Sequence, residues 1–261
     1  MDVNESEDSG RFNISIRQIL LSTYSLVLLV ILWELVTQLE MIHYNFLPPL
    51  SDIIHFLWVE TIDGNMLYHT YLTLRRALVG LALAVILAVP IGVLAGRNAL
   101  FEWFWSPVIA VMYPVPAITL IPLFRLWFGF GENAYIYLIA WACFWPIALN
   151  ARDAAREVDK SLIWSGRMMG TSDTRMLWRV VIPAAAPGII TGIQIGLPVA
   201  FIAAFIFEML AHGDGLGGFQ MAGARRFVAP QVFAAIVAIM VVGMICDRGL
   251  RILRRWLLRW E

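Results

Sequence analysis

The sequence predicts an all-α membrane protein with about six transmembrane helices. Three observations predict this fold class. Of 261 residues, 60% are hydrophobic and 15% charged, with mean hydropathy +0.75, whereas soluble domains are roughly half apolar and a quarter charged. Six segments are apolar enough to cross about 30 Å of hydrocarbon, which takes roughly 20 residues. Lysine and arginine collect on one side of the alternation that those segments define.

Residues 1–18 form a polar N-terminal tail in which Arg11 and Arg17 precede the first apolar run. No small-residue cleavage signature follows that run, so it is expected to stay as a span. The predicted spans are 19–39, 77–95, 107–128, 134–149, 187–210 and 232–250. The fourth is short, and Pro107, Pro114, Pro116 and Pro122 interrupt the third, so five spans is the alternative. Segment 40–71 carries Leu47-Pro48-Pro49-Leu50 and then the amphipathic run Ile53, Ile54, Leu57 and Trp58, which is expected to lie in the interface. Residues 251–261 form a basic C-terminal tail.

With the N-terminus in the cytoplasm, fourteen of the 19 basic residues fall inside. Five fall outside: Arg75, Arg76, Arg125, Arg225 and Arg226. The positive-inside rule therefore places both termini in the cytoplasm. A formal net charge of zero argues against nucleic acid as a partner. Cys143 and Cys246 lie in apolar runs and read as small buried hydrophobes. His43, His55, His69 and His212 are scattered outside the predicted spans and form no metal site. No residue set predicts a catalytic or metal centre, and no Gly-x-x-x-x-Gly-Lys-Ser/Thr motif occurs. The loop Gly213–Gly218 follows an apolar helix rather than a strand, so it reads as turn chemistry.

The largest loop on the inside is 150–186. Within it, Asp159 or Ser161 can cap a short helix with Leu162, Gly166 and Met169 on its apolar face. Gly170 supplies the left-handed residue that ends this helix. Ser172 or Asp173 can cap a second helix carrying Met176, Leu177, Val180 and Val181, and Pro183 is expected to reset the chain before the fifth span. The product is a helix–glycine–helix hairpin bordered by Arg167, Arg175 and Arg179.

Gly170-Thr171-Ser172, followed after a gap by Val180-Val181-Ile182-Pro183, Pro187 and Thr191-Gly192, resembles the EAA loop of binding-protein-dependent ABC importer permeases. The interval from Gly170 to Pro183 is 13 residues. Shorter matches sit in the order of that family: Trp33-Glu34-Leu35, Leu47-Pro48-Pro49, Thr73-Leu74-Arg75-Arg76, Gly92 to Gly96, Tyr113 to Pro116, Ile121-Pro122-Leu123, Trp127-Phe128-Gly129 and Gly215-Leu216-Gly217. They are similar to the nitrate, taurine, alkanesulfonate and bicarbonate branch. Where the family often has Glu-Ala-Ala, this chain carries Trp164-Ser165-Gly166, whose small residues still permit close approach.

The resemblance implies a type I ABC importer-like permease in the cell inner membrane. It would form the translocation path for a small solute, such as an anion or another small organic molecule. The implied partners are a cytoplasmic ATPase dimer that binds ATP and Mg, a second permease copy and an external substrate-binding protein, with no cofactor in this chain. Leu162, Ile163, Trp164, Ser165, Gly166, Arg167, Met169, Gly170, Thr171 and Ser172 would form the ATPase-coupling loop.

Prolines inside a span free carbonyls that protein or water must satisfy. Tyr113, Pro114, Pro116 and Thr119 are therefore expected to shape the pathway, with Thr191 and Gln194 as further polar candidates. Gly188, Gly192 and Gly196 recur every four residues and predict close packing on another helix or a second copy. Glu34 and Glu208 are the acids nearest to membrane depth and predict a gate or an ion pair, with Arg75, Arg76 or Arg225 as partners. An ion-coupled secondary carrier would need paired halves with matching broken helices. An intramembrane enzyme would need a convergent acid or histidine set. Neither pattern is present.

Overall fold

In hydrocarbon a backbone satisfies its hydrogen bonds only within its own helix or in a closed barrel, and these Leu-, Ile- and Ala-rich runs form helices. The structure is a computed structural model that describes residues 24–25, 27–211 and 213–258. The predicted N-terminal tail, the start of the first span, His212 and Arg259 lie outside the described residues. The helices are α1 (Val27–Gln38), α2 (Leu50–Ile62), α3 (Met66–Arg97), α4 (Ala99–Met112), α5 (Ile121–Phe128), α6 (Glu132–Glu157), α7 (Lys160–Met168), α8 (Asp173–Met176), α9 (Ile182–Ala211), α10 (Leu216–Arg225) and α11 (Ala229–Leu257).

Among the described residues, α3, α6, α8 with α9, and α11 are long and apolar enough to cross a membrane. A fifth span results if α4 and the Ala117–Phe128 segment, bent by 89°, count as one. The count of six is thus not reproduced over these residues; the described part of the first run, α1, is a shorter apolar helix.

Several boundaries differ from expectation for physical reasons. Helix α3 begins at Met66, not 77, and its 32 residues reach about 48 Å at 1.5 Å per residue. It therefore takes in His69, which was expected outside the spans. Helix α6 continues eight residues past 149 to Glu157, because Ala151 and Ala155 are fully buried against α3. Pro183 does not reset the chain. Ile182 keeps helical angles (φ −62°, ψ −47°), and a π-helical stretch, Leu177–Val181, joins α8 to α9. A wide turn next to proline absorbs the missing donor, and burial of Val181 opposes the extended bias of a pre-proline segment.

The core is built around α6. Helix α3 runs parallel to it, with Gly80 beside Ile139, Gly92 beside Ala148 and Ala151, and Gly96 beside Arg152 and Ala155. Helix α9 returns antiparallel on another face. There a side chain at Gly188 would strike Ala154, one at Gly192 would come within 2.8 Å of Asn150 Cβ, and one at Gly196 within 2.9 Å of Ile147 Cδ1. The predicted glycine stripe therefore packs on α6 of the same chain, not on a second copy. Alanines fill the remaining seam: Ala77, Ala84 and Ala88 on α3, Ala148 on α6, and Ala200 and Ala204 on α9, all fully buried. Small residues let backbones approach without hydrophobic drive between helices, which lipid removes. Cys143 is buried as expected, its thiol donating to Gly196 O at 3.4 Å.

This arrangement leaves two ends. One gathers Arg97, Arg156, Arg167 and Arg254 with α7 and α8, and is called the basic end below. The other gathers Arg75, Arg125, Glu132, Glu208 and α10.

Replacing Gly92 with Ala drives a methyl into the Ala148 carbonyl and the Ala151 side chain. The variant should lose about 1–3 kcal/mol of stability, read as a lower melting midpoint in detergent. Gly243→Ala, with open space around it, should melt like the parent.

Candidate functional site

The hairpin is built from local rules. Asp159 Oδ1 accepts the Ser161 amide at 2.8 Å and starts α7; this bond holds the Asp159 carboxyl below the usual carboxylate range. At the other end Gly170 has φ +75°. The Thr171 amide donates to Gly166 O at 3.1 Å and the Gly170 amide to Arg167 O at 2.9 Å, a Schellman closure. Ser172, extended at φ −66° and ψ 154°, then opens α8.

Burial shows which face holds the hairpin. Ile163 and Gly166 are buried on α7; with Met176, Val181, Val158, Val93 and Ile189, Ile163 forms one apolar cluster across the ends of α3, α6 and α9. The expected face of Leu162, Gly166 and Met169 is corrected accordingly: Ile163 replaces Leu162, and Met169 points outward. Gly166 makes room for the Met176 thioether, since a Cβ added at this position would lie 2.7 Å from the Met176 methyl. Its small size therefore serves internal packing. The outward surface is apolar: Met168 is 90% exposed, Met169 81%, Trp178 68% and Trp164 64%. Met168 and Trp178 were missed in the sequence; their positions one turn from Trp164 and beside Arg179 were the available signal.

The broken span is the second feature. After α4 the chain turns at Tyr113–Pro116, forms a short 3₁₀ turn at Ala117–Leu120 and continues as α5. Pro114 and Pro116 have no amide to continue the ladder, and the Thr119 hydroxyl donates to Pro116 O at 2.7 Å. Ile121 and Phe124 anchor α5 in the core, and Arg125 Nη2 donates to Ala211 O at 2.8 Å, tying α5 to the end of α9. Tyr113, Pro114, Pro116 and Thr119 are exposed. Non-helical backbone within a span is tolerated where it lines a cavity or is covered by protein.

Thr191 and Gln194 lie elsewhere, at the basic end, in a pocket of about 660 Å³ between α9 and α11. The Thr191 hydroxyl donates back to Pro187 O at 3.0 Å, and Arg254 Nη1 donates to Gln194 Oε1 at 2.8 Å. No residue of the 113–119 break lines this pocket.

The two acids part company. Glu34 makes no ion pair with the arginines expected for it. Its carboxylate accepts the Leu50 amide at 2.8 Å, the Ser51 hydroxyl at 3.0 Å and the Gln38 amide at 3.1 Å, capping α2 from across the loop, because Pro49 offers no capping side chain. Glu208 is the buried ion pair. It is 0% exposed and accepts Arg76 Nη1 at 2.8 Å, Thr73 Oγ1 at 2.7 Å and the Gly217 amide at 3.2 Å. Arg76, itself 4% exposed, also binds Glu132 and the Asp214 carbonyl, and lies 4.1 Å from the Tyr135 ring centroid. The glycine loop folds onto this group: the Gly215 amide donates to His69 Nδ1 and the Leu216 amide to Thr73 Oγ1. Its amides bond side chains of the same chain, that of Gly217 the Glu208 carboxylate itself, where a phosphate loop would serve a ligand. The sequence offered Thr73 only within a family match and His69 only as a scattered histidine; their spacing of four on one helix face was the signal for pairing them.

The chain is thus a multi-pass helical protein with one sharply broken span and an apolar hairpin projecting from one end. Residues 88–259 match the model of the binding-protein-dependent transport system inner membrane component. The chain is 33% identical to the taurine transport system permease protein TauC of Escherichia coli (strain K12), over 94% of this chain and 91% of the relative. It is 31% identical to the putative aliphatic sulfonates transport permease protein SsuC of Bacillus subtilis (strain 168), over 89% and 84%. Its fold is similar to a chain of the inward-facing MetNI methionine ABC transporter, with TM-score 0.68 at 20% identity, covering 76% of this chain and 98% of that one. The chain belongs to the binding-protein-dependent permease family and is the membrane-spanning permease subunit of an ATP-driven ABC importer.

Arg76→Met leaves the Glu208 carboxyl buried without its cation and should destabilise the protein by about 3–5 kcal/mol. Converting both residues to Met should recover part of that loss, read from melting midpoints of the two variants.

Proposed function

We propose that two copies of this chain form the translocation path for a small organic anion of the sulfonate class. The exposed apolar tip of α7, bearing Trp164, Met168 and Met169, carries this reading. A surface of that kind, facing the aqueous side of a basic membrane boundary, fits a protein partner. That partner is a cytoplasmic ATPase dimer that binds ATP and Mg. The placement of Arg and Lys supports orientation with α7 and both termini in the cytoplasm. On the opposite side an external binding protein delivers the solute.

In this mechanism ATP-driven closure of the ATPases draws the two hairpins together. The hairpin is fixed to α3, α6 and α9 through Ile163, Met176 and Val181, so those helices move with it. The break at Tyr113–Thr119, joined to the same core through Ile121 and Phe124, alters the opening. Trp164 takes the place of the acid that the family often carries, which makes docking on the partner mainly apolar. The substrate class is supported by relatives named for taurine and aliphatic sulfonates. A relative named for formylaminopyrimidine transport, 27% identical over 94% of this chain, supports a neutral heterocycle as the second reading.

The chain is tested by reconstitution in vesicles with its ATPase and binding protein. ATP-dependent uptake of a sulfonate that needs all three components is expected; uptake by the permease alone would contradict the proposal. Gly170→Val, which strains a φ of +75°, should leave the spans inserted while ATP hydrolysis continues and uptake falls more than about tenfold, since 1.4 kcal/mol of lost coupling is a factor of ten. Uptake at the parent rate would remove the hairpin from the coupling role.

A further inference from the structure

We propose that the pocket between α9 and α11 binds the headgroup phosphate of an anionic phospholipid. Three guanidiniums, on Arg251, Arg254 and Arg255, face it against one carboxylate, Asp247. Arg251 is paired to that carboxylate and Arg254 to Gln194; Arg255 has no hydrogen-bond or ion-pair partner among the described residues and is exposed. Each guanidinium carries five N–H donors in a fork, so the two partnered arginines keep donors to spare. Planar forks around an open pocket suit the oxygens of a phosphate.

The pocket sits where a lipid headgroup would lie. Helix α11 has 29 residues, and about 20 of them cross the hydrocarbon, which leaves Asp247 to Arg255 at and beyond the boundary. Above the arginines, the same stripes turn apolar. On α11, Met244 and Met240 continue the Asp247–Arg251–Arg254 face at helical spacing; on α9, Ile195, Pro198 and Ile202 continue from Gln194. All five are exposed. A cationic pocket that opens upward into two parallel apolar stripes accommodates a charged head with two acyl chains. A free phosphate would use only the lower half. The same arrangement explains why Gln194 is held by an arginine instead of facing the broken span: it shapes the wall of a lipid seat between a core helix and a peripheral one.

The full-length protein, purified in detergent, is mixed with phosphatidylglycerol or phosphatidylcholine, and retained lipid is read by native mass spectrometry. Wild type should hold phosphatidylglycerol and release phosphatidylcholine. Arg255→Gln breaks no internal bond among the described residues and should weaken retention about fivefold, and removing all three arginines on the order of a hundredfold, following the contribution of each interfacial cation. Arg248→Gln, on the same basic helix but outside the pocket, should retain lipid as wild type does. Millimolar inorganic phosphate should not displace the lipid. Equal retention of phosphatidylcholine, undiminished retention by the triple variant, or an equal loss in Arg248→Gln would overturn the proposal, and so would displacement by inorganic phosphate, which would make the pocket a site for a free anion.

Discussion

The fold depends on the closeness of α3 and α9 to α6. Helices in lipid gain little from excluding water, so their association rests on dispersion between surfaces that can come near enough to touch along their length. Gly80, Gly92 and Gly96 on one side and Gly188, Gly192 and Gly196 on the other remove the side chains that would hold the backbones apart. Closely fitted interiors transmit displacement instead of absorbing it. The coupling proposed above requires that property of the α3–α6–α9 unit, and these six positions supply the close packing.

Each end of the packed unit is finished differently. At the basic end the hairpin is sealed by apolar contacts and presents Trp164, Met168 and Trp178 outward. At the other end a buried carboxyl and guanidinium, Glu208 and Arg76, tie α3, α6, α9 and the loop into α10 through directional bonds. The desolvation cost of a buried ion pair offsets much of its attraction, while its bonds are directional. The apolar end suits a docking partner, and the polar end fixes the register of α3, α6 and α9.

Much of this was legible in the sequence. The apolar runs, the glycine at 170, the four-residue glycine stripe and the break around Pro114 and Pro116 each follow from chemistry confined to a few neighbouring residues. What was not legible depends on contacts between distant segments. Helix α6 outruns its apolar stretch because α3 covers Ala151 and Ala155, and α8 joins α9 because burial of Val181 outweighs the local effect of Pro183. The face of α7 was misassigned by one position because Leu162 and Ile163 are equally apolar, and only the place of Met176 decides between them. Glu34 reads as an intramembrane acid along the chain, yet the fold brings it to the open amides of α2.

In the proposed coupling, motion at α7 reaches the broken span through the α3–α6–α9 unit. Spin labels at Met168 or, separately, at Ile118 of the assembled transporter report the distance between the two permease copies proposed above. ATP binding should change both distances together. A change at Met168 with none at Ile118 would contradict it.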